Sequence, residues 1–386
     1  MKCRVGLLGL PNVGKSSLFN ALAQQSIAEA ANYPFCTINP HHAQVAVPDP
    51  YLQSLGDWAE STTLRPATIE WIDVAGLAPN AHSGEGLGNQ FLATLRECQC
   101  LCHVVRAFED APGADPDGVV HHVTGQVDPV KDTELIQFEL ILADLDHVHR
   151  RLAKTTCQGI ERQVLSKIST ELEAGRPARN LGLNRDEQLA INSMGLLTLK
   201  PVIYAINVDE VDFTMGRDQA EKRIQDEILP GLPGNNVRYV MVSAKLEADI
   251  YQKIKYPKER CEHFSTEYGM EEEDYQSLFC YSALSKEVKE LLDLSVVYTG
   301  PGVPAERSRT TKVHLFSIFQ NAWTANDLAG RLHGDIQRGF IRAQVISAPD
   351  LLQFESWAMA KDCGCVRTEG KQYRIAPNDV VLVKWK

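Results

Sequence analysis

The sequence predicts an α/β protein: a mainly parallel sheet with helices on both faces, interrupted by a helical insertion and followed by a small α+β module. Three observations carry this. Short β-rich runs at 4–8 (RVGLL), 68–73 (TIEWID), 101–107 (LCHVVRA), 201–206 (PVIYAI) and 237–242 (VRYVMV) alternate with helix-like segments, the signature of strand–helix–strand crossovers. Several of the runs end on a Gly, Asp or Asn motif, where ligand sites of open α/β sheets gather. The last ninety or so residues then change pattern, with strand candidates KVHLFSIF, FIRAQVI, KQYRIA and DVVLVKW and a single helix, NDLAGRLHGDIQRG, between the first two.

Composition sets the bounds. A chain of 386 residues, 44% hydrophobic and 23% charged, has the balance of an ordinary globular protein with room for two or three domains. No window approaches eighteen uninterrupted apolar residues, and a strand-like run begins at Arg4. A cytoplasmic protein with no membrane partner is therefore expected. The net charge of −11 argues against a generalised nucleic-acid coat. It is unevenly spread: the segment from Gly300 onward holds twelve Lys/Arg and eight Asp/Glu, or +4, leaving −15 for residues 1–299. Ten cysteines without a secretory signal are expected as reduced thiols. Cys98, Cys100 and Cys102 alternate with period two and suit one face of a buried strand. Neither they nor Cys363 and Cys365 form the paired CxxC of a zinc site.

In chain order, the first motif is Gly9-Leu-Pro-Asn-Val-Gly14-Lys15-Ser16, which matches GxxxxGK[ST] and sits between a strand and a helix. In such a loop the amides from Asn12 through Val13, Gly14 and Lys15 to Ser17 point inward, and the dipole of the following helix favours an anion. Lys15 is expected on the β- and γ-phosphates of a nucleotide, and the Ser16 hydroxyl on Mg²⁺. Thr37, in NYPFCTINP, lies where a switch loop brings a second hydroxyl to the metal. Asp73-Val-Ala-Gly76 closes TIEWID as a DxxG motif, with Asp73 in the Mg²⁺ shell and the Gly76 amide sensing the γ-phosphate. Leu77 follows where a water-orienting glutamine would stand, so either hydrolysis is slow or another polar group supplies that function. Asn12 suggests one alternative, a K⁺ ion beside the phosphates.

The alternation breaks between about 132 and 199. Leu135, Phe138, Ile141, Leu142, Leu145, Val148 and Leu152 recur at helical spacing, and a second helix ends at Gly175, giving an antiparallel helical arm. Asn207-Val208-Asp209-Glu210 then ends PVIYAI where a guanine-reading NKxD would stand, with Val208 replacing the lysine and Glu210 the final aspartate. Ser243-Ala244 fits the second base-contacting loop. Val208 would give an uncharged cover over the base, and the longer Glu210 a displaced carboxylate, so ATP is expected to bind at least as well as GTP. Beyond Ser243 the pattern is mostly helical until about 295, and TGPGVPAERSRT reads as a linker.

Taken together, GLPNVGKSS, NYPFCTINP, DVAGL followed by GEGLGNQFL, NVDE and FIRAQV resemble the Obg-like ATPase (YchF) family of P-loop switch proteins, over essentially the whole chain. The resemblance implies a Ras-like nucleotide domain over 1–131 and 200–295, a coiled-coil arm over 132–199, and a C-terminal TGS domain, a β-grasp-like unit, over 300–386. It implies hydrolysis of ATP, in preference to GTP or alongside it, and association with the ribosome or translation factors, with rRNA contact through the TGS unit. His122, in VVHHVTGQVDP, matches a histidine of the family's HV motif and is the expected substitute for the missing glutamine. The competing expectation is a nucleotide-gated scaffold with negligible turnover.

Overall fold

The computed structural model describes residues 3–30, 41–74, 87–109, 126–234, 237–254, 257–269, 279–303, 309–317 and 323–386. The chain divides into two compact units, Met1–Ala28, Ile38–Val45 and Glu70–Glu287 in the first and Glu29–Thr37, Ala46–Ile69 and Val288–Lys386 in the second. The strands among the described residues are β1 (Cys3–Leu8), β2 (His42–Ala46), β3 (Thr63–Arg65), β4 (Thr68–Asp73), β5 (Cys100–Arg106), β6 (Val202–Asn207), β7 (Arg238–Val242), β8 (Leu294–Thr299), β9 (Thr310–Ser317), β10 (Phe340–Ser347), β11 (Arg367–Glu369) and β12 (Asp379–Trp385).

The first sheet runs β2-β4-β1-β5-β6-β7, and β1, β5, β6 and β7 pair in parallel. Every residue of β5 is buried, as a central parallel strand covered on both faces requires. Cys100 and Cys102 lie in it, while Cys98 is buried just before it. The five anticipated strands of this sheet fall within a residue of their expected ends; β2 was not anticipated.

Between β5 and β6 the described chain is largely helical. The helix Pro129–Leu152 begins where the Asp128 carboxylate accepts from the Lys131 amide at 3.1 Å and Pro129 takes the first turn, where its missing N–H costs nothing. Ile141 and Val148 pack with Val164, Leu165, Ile168 and Leu172 of the helix Gly159–Glu173. The expected apolar stripe needs one correction: Phe138 is 53% exposed, and Ile136 and Leu140 are buried instead. The early turns of this long helix bury Ile136 and Leu140, and the later turns bury Ile141 and Val148 against the second helix, so one stripe cannot serve both. Asp144, fully buried, accepts from the amide and hydroxyl of Thr198 at 2.7 and 2.8 Å and from Arg96 Nη1 at 2.7 Å. It thereby fastens the insertion to the helix Leu87–Glu97.

The second sheet runs β11-β10-β12-β8-β9-β3. Alternate residues fill opposite faces: Val296, Tyr298, Ile346 and Val380 join one apolar cluster, and Val297, Ala343, Val345 and Val381 the other. The sequence boundary at 300 is corrected here. β8 is an inner strand of this sheet, and β3 with the helix Leu52–Trp58 belongs to the same unit. Asp49 fixes the junction by accepting from the Tyr298 hydroxyl at 2.9 and 3.0 Å. KQYRIA is not a strand: the Ala325 amide donates to the Tyr373 carbonyl and the Ile375 amide to the Trp323 carbonyl, so the segment pairs with the stretch before the helix Ala325–Leu332 rather than with the sheet. The single helix expected at NDLAGRLHGDIQRG is two, Ala325–Leu332 and Gly334–Arg338, because His333 is extended between them.

Candidate nucleotide site

β1 ends at Leu8, and the chain turns through Gly9–Gly14 into the helix Lys15–Ala30. The loop takes two left-handed residues, Asn12 at φ 65° and Gly14 at φ 88°. Asparagine tolerates that region because its short polar side chain bonds locally. At Gly14 any side chain is also excluded by contact, since a Cβ would lie 2.2 Å from Asn207 Nδ2.

Asn207, the last residue of β6, is the brace. Its Nδ2 donates to the Val13 carbonyl at 2.9 Å and its Oδ1 accepts from the Ala244 amide at 3.0 Å. One side-chain amide therefore ties the phosphate-type loop to the Ser243-Ala244 loop after β7. A second brace was not foreseen. Arg106, fully buried at the end of β5 and in register with Asn207, points Nη1 at the Asn12 carbonyl at 3.4 Å, while its guanidinium lies 4.4 Å over the Phe108 ring. A charged residue closing a largely apolar strand was the available signal, because a buried guanidinium must be bonded.

Asp73 ends β4, the neighbour of β1, and its Oδ1 accepts from Lys15 Nζ at 2.6 Å, with side chains only 14% and 8% exposed. Ser16 is exposed and Ser17 half-buried at the helix start. A loop cation, a hydroxyl, a carboxylate and a helix N-terminus thus share one end of the sheet, a donor set that fits a polyphosphate. Ser16 and Asp73 are hard oxygen donors of the kind Mg²⁺ takes in ones and twos, with phosphate oxygens and water completing the shell. Thr37, Gly76 and His122 lie outside the described residues.

On the base side, Ser243 and Ala244 are buried. Val208 departs from its expected role: its amide bonds the Val242 carbonyl at 2.9 Å, the sheet continues there, and the side chain is drawn inward to 2% exposure rather than forming an open cover. Asp209 accepts from the Asp212 amide and caps the short helix Glu210–Phe213. Glu210 accepts from the Tyr268 hydroxyl at 2.6 Å. Burial and this carboxylate push the Tyr268 phenol up to about 12, so it remains a donor. Nothing in the sequence around Tyr268 signalled that partnership.

Residues 4–141 match the 50S ribosome-binding GTPase family, and residues 310–386 match the YchF GTPase C-terminal family, described as a protein of unknown function (DUF933). The ribosome-binding ATPase YchF of Bacillus subtilis strain 168 is 37% identical over 99% of this chain and 98% of its own. That of Escherichia coli O157:H7 is 39% identical with the same coverage. The chain belongs to the YchF family. Among solved structures, the YchF GTPase of Schizosaccharomyces pombe superposes with a TM-score of 0.76 at 28% identity, over 99% of this chain and 98% of that one. The YchF fold assigns the first unit as a P-loop GTPase-type α/β domain, with a β-containing C-terminal domain after it.

In this YchF-family chain the helix behind Ser243-Ala244 carries a buried acid. Glu247 accepts from the Cys280 amide with both oxygens, and burial raises its pKa from 4.5 to about 7. The folded state then holds the proton more tightly than the unfolded one. The contribution is full below about 4.5 and is lost as pH rises through about 7. Glu247→Gln should flatten the fall in urea midpoint across that window; an unchanged slope would refute it.

Proposed function

We propose that this YchF-family chain is a nucleotide-hydrolysing switch, converting ATP, and GTP as a second substrate, to the diphosphate and phosphate, and acting on the ribosome. The observation that carries the reading is the 2.6 Å contact of Lys15 with Asp73 in a loop braced by Asn207. A bound triphosphate would draw Lys15 from Asp73 onto its β- and γ-oxygens, and the amides from Asn12 to Ser17 would line the phosphates. Asp73 is then released to face the cation that Ser16 and Thr37 also serve. Mg²⁺ in that place would neutralise charge on the phosphate oxygens. The Gly76 amide would report the γ-phosphate, and its loss on hydrolysis would free both switch loops. Relatives that are named ribosome-binding ATPases support the partner and the base. Phosphate release by the purified chain tests the reading, and absence of turnover above a Lys15→Ala control would contradict it.

His122 is assigned the water, since an imidazole can orient or activate it near neutral pH. His122→Ala should lower phosphate release by about a hundredfold at unchanged nucleotide affinity. Full activity in that variant, lost when Na⁺ replaces K⁺, would transfer the role to a K⁺ ion beside Asn12.

The second unit, read as the TGS domain, is assigned the rRNA contact, and the helices of 132–199 form the coiled-coil arm. Arg338, Arg342, Lys371 and Arg374 are exposed on the former. Because β8 pairs with β9 and β12, truncation at 300 would strip an inner strand of its neighbours; substitution is the cleaner test. Alanine at all four positions should weaken ribosome co-sedimentation and flatten its dependence on salt, with ATP affinity unchanged. Unaltered sedimentation would remove these residues from the interface.

A further inference from the structure

Six of the eight cysteines described are wholly or partly shielded from solvent, and only Cys363 and Cys365 among them are exposed. They flank Gly364 at the end of the helix Trp357–Asp362. The Gly364 amide donates to the Lys361 carbonyl at 2.9 Å and the Cys365 amide to the Ala360 carbonyl at 3.0 Å, with Gly364 at φ 77°. That pair of bonds around a left-handed glycine is a Schellman cap. It reverses the chain between the two thiols. For a residue in left-handed helical geometry the flanking Cα atoms are about 5.4 Å apart, inside the 4.4–6.8 Å span of disulfides. The Cys365 thiol is turned back toward its neighbour, with Sγ 3.9 Å from the Cys363 carbonyl oxygen.

We infer that Cys363 and Cys365 are a surface dithiol that undergoes exchange with low-molecular-weight disulfides and closes to an intramolecular disulfide. One thiolate attacks a sulfur of the small disulfide, forming a mixed disulfide and releasing one small thiolate. The second cysteine attacks the protein sulfur of that bond and releases the other, and the two cysteine protons end on the two small thiols. Two electrons pass from the cysteine pair to the small disulfide. Among the described residues, two other thiols are poor competitors: burial pushes Cys3 up to about 12 and Cys98 up to about 11, which withdraws the thiolate that exchange requires.

The full chain incubated with glutathione disulfide, then mapped by differential alkylation and peptide mass, tests this. Wild type should release two glutathione thiols per chain and give a 363–365 peptide lighter by two hydrogens with no adduct. Cys363→Ser and, separately, Cys365→Ser should each halve the release and retain one glutathione on the remaining cysteine. Glutathione retained on both residues of the wild type, or a pair no more reactive than Cys3 and Cys98, would overturn the inference.

Discussion

Lys15→Ala is expected to lower phosphate release by about a hundredfold or more, the scale on which removal of one preorganised charge contact acts on developing phosphoryl charge. The variant also removes the cation from a carboxylate that is only 14% exposed. Leaving Asp73 unpaired should cost about 1–3 kcal/mol of stability. The two effects separate cleanly: the urea midpoint reports the second, and single-turnover phosphate release below that midpoint reports the first. Wild-type turnover by a folded Lys15→Ala chain would remove this loop from the chemistry.

Asn207→Ala should weaken ATP and GTP together, by about ten- to hundredfold, since each 1.4 kcal/mol is a factor of ten. The truncation leaves the Val13 carbonyl and the buried Ala244 amide without the partners they have at 2.9 and 3.0 Å, at about 1–3 kcal/mol each. Space opened beside Gly14 then lets the loop leave its left-handed geometry. Calorimetric titration with each nucleotide checks this, and unchanged dissociation constants would show that the brace does not shape the site.

The parallel sheet and the phosphate loop were legible because both rest on local rules. Apolar β-rich runs ended on Gly, Asp or Asn, and the spacing of Gly9, Gly14 and Lys15 is imposed by backbone geometry. What the sequence hid was tertiary. β8 (LSVVYT) fell between a helical segment ending at about 295 and the linker that begins at Thr299, and was not assigned, although Val296, Val297 and Tyr298 are strand formers. β3 joins the second sheet from more than two hundred residues away by pairing with β9, which no local pattern encodes. Phe138 was misplaced because the long helix changes the face it buries along its length. The same limit applies at the site. Asn207 and Asp73 were found through motifs, whereas Arg106 and Tyr268 act through contacts made only once strands and helices assemble.

The base-side geometry makes nucleotide choice the most direct measure of the site. A guanine grip needs a free carboxylate aimed at two ring donors, and here Glu210 already accepts from Tyr268 at 2.6 Å while Val208 is turned into the core. A site without its paired acceptor loses most of its discrimination. Competition titration of ATP against GTP on the full chain should give an ATP dissociation constant equal to or lower than that for GTP. GTP bound more than about tenfold tighter, a difference of about 1.4 kcal/mol, would contradict it.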